Sequence, residues 1–268
     1  MAEFTAKDVQ ALRLATGAGM MDAKRALQEN DGNAESAARW LREKGLAKSG
    51  DRKDRVNQQG AVAVGEAVGA AAVVELKSET DYVAKSEAFT ALAAEIAQRV
   101  AADGEQAAAD FVSSIDDLKI TLKENIELGR VVRFAAAEGA VLDTYLHSQN
   151  GRGVNGVIVE VVGGDRPLAH NVALHVASMR PGWLSRDDVP QERVDDERQL
   201  IETLTRNEGK PEAALPKIVE GRLGGWFRDH CLLEQPYVRE PKQSVTQTLG
   251  DARLTRFAQV EIGGAGSG

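Results

Sequence analysis

Three glycines are the first residues of this sequence whose spacing suggests chemistry. Gly151, Gly153 and Gly156 match the pattern of a dinucleotide-binding loop. That loop requires a helix directly after the glycines, because the helix N-terminus holds the pyrophosphate. The apolar run Val154–Val162 predicts a strand instead. We therefore predict that the glycines form a turn between antiparallel strands, and we keep an enzyme that binds a dinucleotide as the least favoured alternative.

The histidines and the cysteine do not form a recognisable catalytic or metal-binding pattern. His170 and His175 share a predicted helix, but five residues separate them by about 140° around its axis, whereas chelation requires a spacing of three or four. Cys231 is the only cysteine, so neither an intrachain disulfide nor a multi-cysteine metal site is available. No base is paired with this thiol. We expect no metal, no cofactor and no catalytic residue, and hence no enzyme.

The segment Ser78–Lys85 is the most informative one. Thr80 or Asp81 is typical of a helix N-cap, because its side-chain oxygen accepts a hydrogen bond from a free backbone N–H group. Tyr82 then lies at the corner between a strand and a helix. Two interpretations stay open: a buried core aromatic residue, which the burial preference favours, or an exposed anchor of a protein interface. His147 is likewise either an ordinary surface residue or an interface contact.

Composition describes a soluble globular protein. The 268 residues are 43% hydrophobic and 28% charged, with a net charge of -8 and a pI near 5.2. Nucleic-acid-binding proteins usually carry a basic excess, so we predict no direct nucleic-acid contact. The N-terminus lacks the pattern of a secretory signal, and no run approaches the ~18 apolar residues of a membrane span. With a single cysteine, a cytoplasmic location is expected.

The first 48 residues predict three short helices around a small core. Thr5 and Asp8 resemble a capping box at the start of the first helix. The remaining signals are Thr16–Gly19 as a break, residues 20–29 as the second helix, Asn33 as the cap of the third helix, Gly45 as its end, and residues 48–59 as a polar linker.

From Gly60 onward, strands and helices alternate. Residues 61–64 and 71–76 predict a hairpin that turns near Gly69. Further strands are predicted at residues 131–136, 141–147, 154–162 and 254–262. Helices are predicted at residues 115–127, 167–179, 191–205 and 211–227, near Ser244, and over a segment whose apolar face is Phe89, Leu92, Ala93, Ile96 and Val100. The short join at residues 207–210 implies an antiparallel helical hairpin. Residues 263–268 predict a flexible tail, and the fold class is α+β.

Several ordered blocks together resemble the elongation factor Ts family over essentially the whole chain. One block, Glu79–Lys85, is similar to the family's Thr-Asp-Phe-Val contact motif, with Tyr82 in place of the usual phenylalanine. The other blocks are Leu12–Leu27, Glu124–Ile126 with Arg130, His147 with Gly153, Gly156 and Val157, Glu220–Arg222, and Leu233–Lys242. Matches in this order at plausible spacing are far more specific than any single pattern.

The resemblance implies a division of the chain that periodicity alone does not predict. Residues 1–55 would form a three-helix domain similar to ubiquitin-associated domains, followed by a linker. Residues 56–140 would form one core subdomain of antiparallel sheet and helix. A second, related subdomain would comprise residues 141–183 and 232–268, with residues 184–231 inserted in it as the helical hairpin.

The resemblance also implies a function: binding of elongation factor Tu and release of its GDP during translation elongation. The aromatic ring of Tyr82 would wedge near the magnesium and phosphate site of the partner's GTPase domain. Because burying its hydroxyl unpaired would cost ~1–3 kcal/mol, we expect this hydroxyl to stay near water or to find an acceptor. The resemblance implies that the partner's GTPase domain is contacted by Thr80, Asp81, Tyr82, Val83, Arg13, Met20 and Met21 of this chain. It implies that His147 contacts another domain of the partner.

Two further hypotheses stay open. The helical hairpin is a candidate surface for a homodimer or heterotetramer, with Leu200, Leu204, Leu223 and Trp226 as its apolar residues. The main alternative function is a non-catalytic adaptor whose N-terminal helices bind a ubiquitin-like or other protein surface. That adaptor requires residues 80–83 to be buried in the core.

Overall fold

The computed structural model describes residues 4–50 and 54–264, and its fold is α+β. Part of the predicted linker (residues 51–53) and part of the predicted tail (residues 265–268) lie outside the described residues. The helices are α1 (Ala6–Thr16), α2 (Met20–Glu29), α3 (Ala34–Gly50), α4 (Asp81–Ala84), α5 (Glu87–Asp103), α6 (Val112–Leu122), α7 (Arg166–Met179), α8 (Gln191–Asn207), α9 (Leu215–His230) and α10 (Val245–Leu249). The strands are β1 (Gln59–Ala67), β2 (Ala70–Ser78), β3 (Glu127–Ala135), β4 (Ala140–Gln149), β5 (Arg152–Val162), β6 (Pro236–Tyr237), β7 (Glu240–Ser244) and β8 (Arg253–Glu261).

Helices α1 to α3 enclose a small core of their own. Its buried members are Val9, Leu12, Ala23, Ala26, Leu27, Ala37 and Leu41. The predicted capping box is confirmed, because the Asp8 carboxylate accepts from the Thr5 backbone N–H at 2.7 Å while the Thr5 hydroxyl oxygen accepts from the Asp8 N–H. The Asn33 cap is confirmed as well, since its side-chain oxygen accepts from the Ser36 N–H at 2.9 Å.

The predicted end of the third helix at Gly45 is wrong. The helix α3 continues to Gly50. A Cβ atom on Gly45 would lie 2.8 Å from Cγ2 of Ile120 on α6, so the glycine permits close packing of two helices and does not end one. A glycine read as a stop signal can equally mark a close contact.

Two three-stranded antiparallel sheets form the centre of the fold. The first has the order β1-β2-β3 and the second β4-β5-β8, and the predicted turn near Gly69 joins β1 to β2. The sheets pack face to face through a shared apolar layer of Val62, Ala71, Val73, Phe134, Ile158, Ala258 and Val260. The opposite face of the first sheet is covered by α5, whose predicted apolar residues are all buried. The corresponding face of the second sheet is covered by α7.

The predicted turn between antiparallel strands is confirmed for Gly151, whereas Gly153 and Gly156 lie within strand β5. Residues Asn150 and Gly151 have φ angles of 53° and 81° between the paired strands β4 and β5, and the chain continues as a strand. Gly156 permits the close approach of the two sheets, because a Cβ there would lie 2.6 Å from the Val73 side chain.

The predicted helix at residues 115–127 is wrong at its C-terminal end. Helix α6 ends at Leu122, and Lys123 adopts a left-handed conformation with φ 60°. Strand β3 begins at Glu127. The intervening residues have other partners: the Glu124 carboxylate and the Asn125 backbone N–H bind the turn after β2, and the Ile126 side chain is fully buried.

Helices α8 and α9 form the predicted antiparallel hairpin. Their shared core contains Val194, Ile201, Val219, Leu223 and Phe227. Of the residues predicted for its apolar surface, Leu200 and Leu204 are about half exposed, at 52% and 50%. Leu223 is buried between the helices, and Trp226 is half-buried against Trp183 at a ring-centroid distance of 5.6 Å. The expectation that Leu223 lies at the surface is therefore wrong.

Candidate functional site

The turn between β2 and α4 carries an exposed aromatic ring, and the residues that follow the ring are buried. Tyr82 is 77% exposed, so the core interpretation of this residue is wrong. The two residues after it, Val83 and Ala84, are buried in the core of the first sheet together with Phe89. The backbone is thus anchored from below while the ring and its hydroxyl face solvent, which removes the need for a buried acceptor.

The start of α4 is capped as the sequence predicts. Thr80 has an extended backbone, and its hydroxyl oxygen accepts from the Val83 N–H at 3.3 Å. Asp81 is the first residue of the helix and pairs with Lys85 Nζ at 3.2 Å. Both charges are largely exposed, so this ion pair adds little stability. With only four residues, α4 cannot be stable by itself and depends on tertiary contacts.

A pair of carboxylates holds this turn against the segment after α6. The Glu124 carboxylate accepts from the backbone N–H groups of Glu79 and Thr80 at 3.1 and 3.2 Å, and from the Thr80 hydroxyl at 2.5 Å. In return, the Glu79 carboxylate accepts from the Asn125 backbone N–H at 2.6 Å. Hydrogen bonds to ionised acceptors are roughly twice as strong as neutral ones. We call these four hydrogen bonds the carboxylate clamp.

A third segment joins the carboxylate clamp. Arg55, just before β1, lies with its guanidinium 3.4 Å from the Glu79 carboxylate, and its backbone oxygen accepts from the Asn125 side-chain amide at 3.0 Å. Two other stretches of chain, around Arg55 and around Glu124, therefore hold the turn below Tyr82. The sequence shows Glu79 and Glu124 only as members of two family-like blocks, and nothing in it indicates that they meet.

The N-terminal helices present a second exposed apolar group. Met20 and Met21, at the start of α2, are 48% and 74% exposed, and Arg13 near the end of α1 is also exposed. Leu14 beside it is 76% exposed. Sequence reasoning missed Leu14, although its position off the apolar stripe of α1 was a usable signal. These exposed large apolar side chains make the N-terminal helices a candidate protein-binding surface.

Helix α6 connects the two exposed groups. A Cβ on Gly17, in the turn before α2, would lie 3.1 Å from Thr121 at the C-terminal end of α6, and Arg42 of α3 pairs with Asp117 at 3.2 Å. Glu124, which holds the Tyr82 turn, is three residues beyond Thr121. The structure thus brings the N-terminal helices and the Tyr82 turn to the same end of α6.

His147 belongs to a different part of the surface. It lies exposed near the end of β4, the edge strand of the second sheet, where its Nδ1 is 3.4 Å from the Tyr145 hydroxyl. Of the predicted contact residues, it is the one on the second sheet, while Tyr82 follows the first.

Of the remaining titratable groups that sequence analysis singled out, the two helical histidines have hydrogen-bond partners and the cysteine is buried. His175 is fully buried, where burial lowers its pKa, and it hydrogen-bonds Gln235 and the Val238 N–H. His170 pairs with Asp143 at 2.7 Å. Burial raises the pKa of the Cys231 thiol to about 11, so it stays protonated and unreactive at neutral pH. Across residues 4–50 and 54–264, no three His, Cys, Asp or Glu side chains are grouped as a metal site, and none of the described helices has the length and apolar character of a bilayer span.

Comparison with known proteins adds a whole-chain likeness to this geometry. The family model described as "Elongation factor TS" matches residues 79–264. Relatives named "Elongation factor Ts" include the protein of Clavibacter sepedonicus, 43% identical over 98% of this chain and 100% of the relative. Those of Renibacterium salmoninarum and Streptomyces griseus are 44% and 42% identical, each also over 98% of this chain and the full length of the relative.

Proposed function

This chain belongs to the elongation factor Ts family, whose members act in translation elongation, and on that premise we propose that it is a guanine-nucleotide exchange factor. It binds the GTPase elongation factor Tu in the cytoplasm and promotes release of GDP. In this proposal the chain supplies no catalytic residue. It acts by binding the nucleotide-free GTPase much more tightly than the GDP-bound form.

The observation that carries the proposal is the exposed ring of Tyr82 on a clamped turn. Rigid aromatic side chains are frequent anchors of protein interfaces. Because the turn is already ordered in the free protein, little conformational entropy is lost when the ring enters a pocket of the partner. An aromatic side chain can distort the partner's nucleotide site only if the turn that carries it keeps its conformation. The carboxylate clamp provides that rigidity.

The other predicted contacts fit a two-part surface on the partner. Thr80, Asp81, Tyr82 and Val83 engage the GTPase domain near its magnesium and phosphate site. Met20, Met21 and Arg13 touch the same domain, which agrees with the position of both groups at one end of α6. His147, on the second sheet, contacts another domain of the partner. Each of these contacts remains part of the proposal.

Linkage sets the thermodynamic requirement for exchange. If the factor weakens GDP binding by a given ratio, GDP must weaken factor binding by the same ratio. Tyr82 is proposed to supply much of this antagonism, since ring and nucleotide compete for one arrangement of the partner's site. An adaptor that binds through the N-terminal helices alone would require a buried Tyr82 segment, and the 77% exposure of Tyr82 does not favour it.

The test is release of fluorescent GDP from elongation factor Tu, followed with the wild-type chain, Tyr82→Ala and Tyr82→Phe. Wild type is expected to accelerate release. The Phe variant keeps the ring and serves as the matched control with near-wild-type rate. The Ala variant is expected to lose about 30-fold or more, as for an interface hot spot of at least about 2 kcal/mol. Its thermal midpoint should be unchanged, because the ring is exposed. An Ala variant as fast as wild type would refute the wedge.

The proposal also covers the division of the chain into units and its self-association. The division into residues 1–55, 56–140, 141–183 with 232–268, and 184–231 describes units that we propose fold around separate cores. Self-association through the helical hairpin, as a homodimer or in a heterotetramer, is proposed from the exposed Leu200 and Leu204. Sedimentation of a Leu200→Glu, Leu204→Glu double variant, alone and with elongation factor Tu, tests it: an unchanged mass distribution rules out this surface.

A further inference from the structure

We propose that Glu124 is a positioning residue for nucleotide exchange: its carboxylate fixes the turn at residues 79–82 so that Tyr82 is held ready for the partner, while Glu124 itself makes no partner contact. The proposal rests on the proposed function above and adds a residue to it. It follows from the carboxylate clamp, in which Glu124 binds Glu79 and Thr80, residues that precede it by 45 and 44 positions in the sequence.

The turn needs an external support because its own local structure is weak. The helix that begins at Asp81 has four residues, too few to form without tertiary contacts. Two successive backbone N–H groups, those of Glu79 and Thr80, point to Glu124 rather than into a strand or helix ladder. Without that carboxylate, both donors would have to turn to water, and the turn would sample other conformations.

The geometry assigns Glu124 an inward role. Its Oε2 accepts both backbone N–H groups, and its Oε1 accepts the Thr80 hydroxyl. Thr80 in turn caps α4 through the Val83 N–H. One carboxylate therefore orders the residue that starts the helix carrying Tyr82. Glu124 is only half-buried, so its removal leaves no large cavity in the core.

This role predicts a specific kinetic signature. A loose turn adds an ordering cost only to states in which Tyr82 engages the partner, including the transition state for GDP release. The initial complex, held by the N-terminal helices and the second sheet, is not affected. Loss of Glu124 should therefore lower the maximal release rate at saturating factor while the half-saturating concentration changes little. Partial misfolding would do the reverse, because a smaller active fraction raises the apparent half-saturating concentration and leaves the maximal rate intact.

The first arm of the test uses the free chain and needs no partner. Backbone amide hydrogen exchange at Glu79 and Thr80 is measured by NMR in wild type, Glu124→Ala, Glu124→Gln and the control Glu138→Ala, an exposed carboxylate between β3 and β4. Both amides should exchange at least about tenfold faster in the Ala variant, since local opening sets their protection. The Gln variant keeps one oxygen acceptor and should retain most of the protection, and the control should match wild type.

The second arm measures fluorescent GDP release from elongation factor Tu over a range of factor concentrations. The maximal rate should fall about tenfold in Glu124→Ala, because preorganisation is lost, and should be largely restored in Glu124→Gln. In a Tyr82→Ala background, the additional Glu124→Ala change should alter the rate less than about twofold, since Glu124 is proposed to act only through the ring.

Two results would overturn the proposal. One is unchanged amide exchange at Glu79 and Thr80 in Glu124→Ala. The other is a full additional loss of rate when Glu124→Ala is combined with Tyr82→Ala, which would mean that Glu124 contacts the partner directly. Failure of the proposed function looks different: wild type itself would not accelerate GDP release, whereas the hydrogen-exchange result would still decide whether Glu124 orders the turn.

Discussion

The two sheets of the molecule use the same strand-to-helix connection in opposite ways. We call each sheet with the helices that cover it a unit. In both units a hairpin is followed by a helix, and a later strand, β3 in the first unit and β8 in the second, pairs with the second strand of the hairpin. Both connections also have a side-chain cap: Thr80 accepts from the Val83 N–H, and Asp165 accepts from the Leu168 N–H at 2.9 Å. The capping of the two connections is therefore similar, although α4 has four residues and α7 has fourteen.

The difference lies in the first residues after each cap. In the second unit, the Arg166 side chain is 63% exposed, but its guanidinium turns back toward the protein and binds the buried carboxylate of Asp143 at 2.8 Å and Glu66 of the first sheet at 2.9 Å. In the first unit, Tyr82 points outward and is 77% exposed. One connection links the two sheets, and the other leaves a large side chain in solvent, where we propose that it meets a partner. Two similarly capped connections thus differ in what the side chain after the cap contacts.

The largest effect on stability is expected at the inward connection, with Asp143→Ala. Asp143 is 3% exposed and binds both Arg166 and His170. Hydrogen bonds to a charged carboxylate contribute ~1.5–3 kcal/mol each. The Arg166 guanidinium and the His170 ring that are freed can return to water, so a net loss of about 2 kcal/mol in the free energy of unfolding is expected. Urea denaturation measures it. The maximal GDP-release rate should stay within about twofold of wild type; a large loss of rate with intact stability would break the contrast between the two connections.

A smaller, pH-dependent effect is expected for Arg166→Met. The Thr144 hydroxyl and then Arg166 hold the pKa of Glu66 below its ordinary value of 4.5. A lowered carboxyl pKa contributes stability that is fully present above the unfolded-state value and is lost as pH falls through the folded-state value. The variant should thus be less stable than wild type at pH 7, and the difference should shrink below about pH 4.

Thermal denaturation between pH 7 and pH 3 provides the measurement for Arg166→Met. Thr144→Val is a matched comparison, because it removes the other hydrogen bond to Glu66, at 2.7 Å, without removing a charge. If the Arg166→Met deficit is the same at every pH, the ion pair between the sheets does not contribute to stability through the charge of Glu66.

Much of the fold was predictable because its signals are local. Alternating apolar residues around Gly69 predict the first hairpin, and the apolar stripe from Phe89 to Val100 predicts α5. Capping by Thr5 and Asn33 depends on residues within three positions. In each case, the side chain that decides the structure is a neighbour in sequence.

The errors and the missed features share a nonlocal cause. Gly45 was taken as a helix end because its contact with Ile120, 75 positions away in sequence, is invisible locally. Leu223 was placed at the surface because the stripe of α9 that faces α8 is fixed only when the helices pack. The exposure of Tyr82 is decided by which neighbours are buried, and its support by Glu124 depends on the packing of α6. Candidate residues were thus recognisable, while their orientation was not.

The smallest effect is expected for Lys85→Ala, which tests whether the ion pair between Lys85 and Asp81 stabilises the connection that carries Tyr82. Lys85 and Asp81 form an ion pair at 3.2 Å, but their side chains are 42% and 64% exposed, and pairs of this kind contribute at most about 0.5 kcal/mol. The free energy of unfolding should therefore change by no more than that, and the change should vanish in high salt because solvent ions screen exposed charges. Urea denaturation at low and high salt measures both. A loss comparable to that of Asp143→Ala would mean that the turn below Tyr82 is fastened by its own charges, and the carboxylate clamp would then not be its main support.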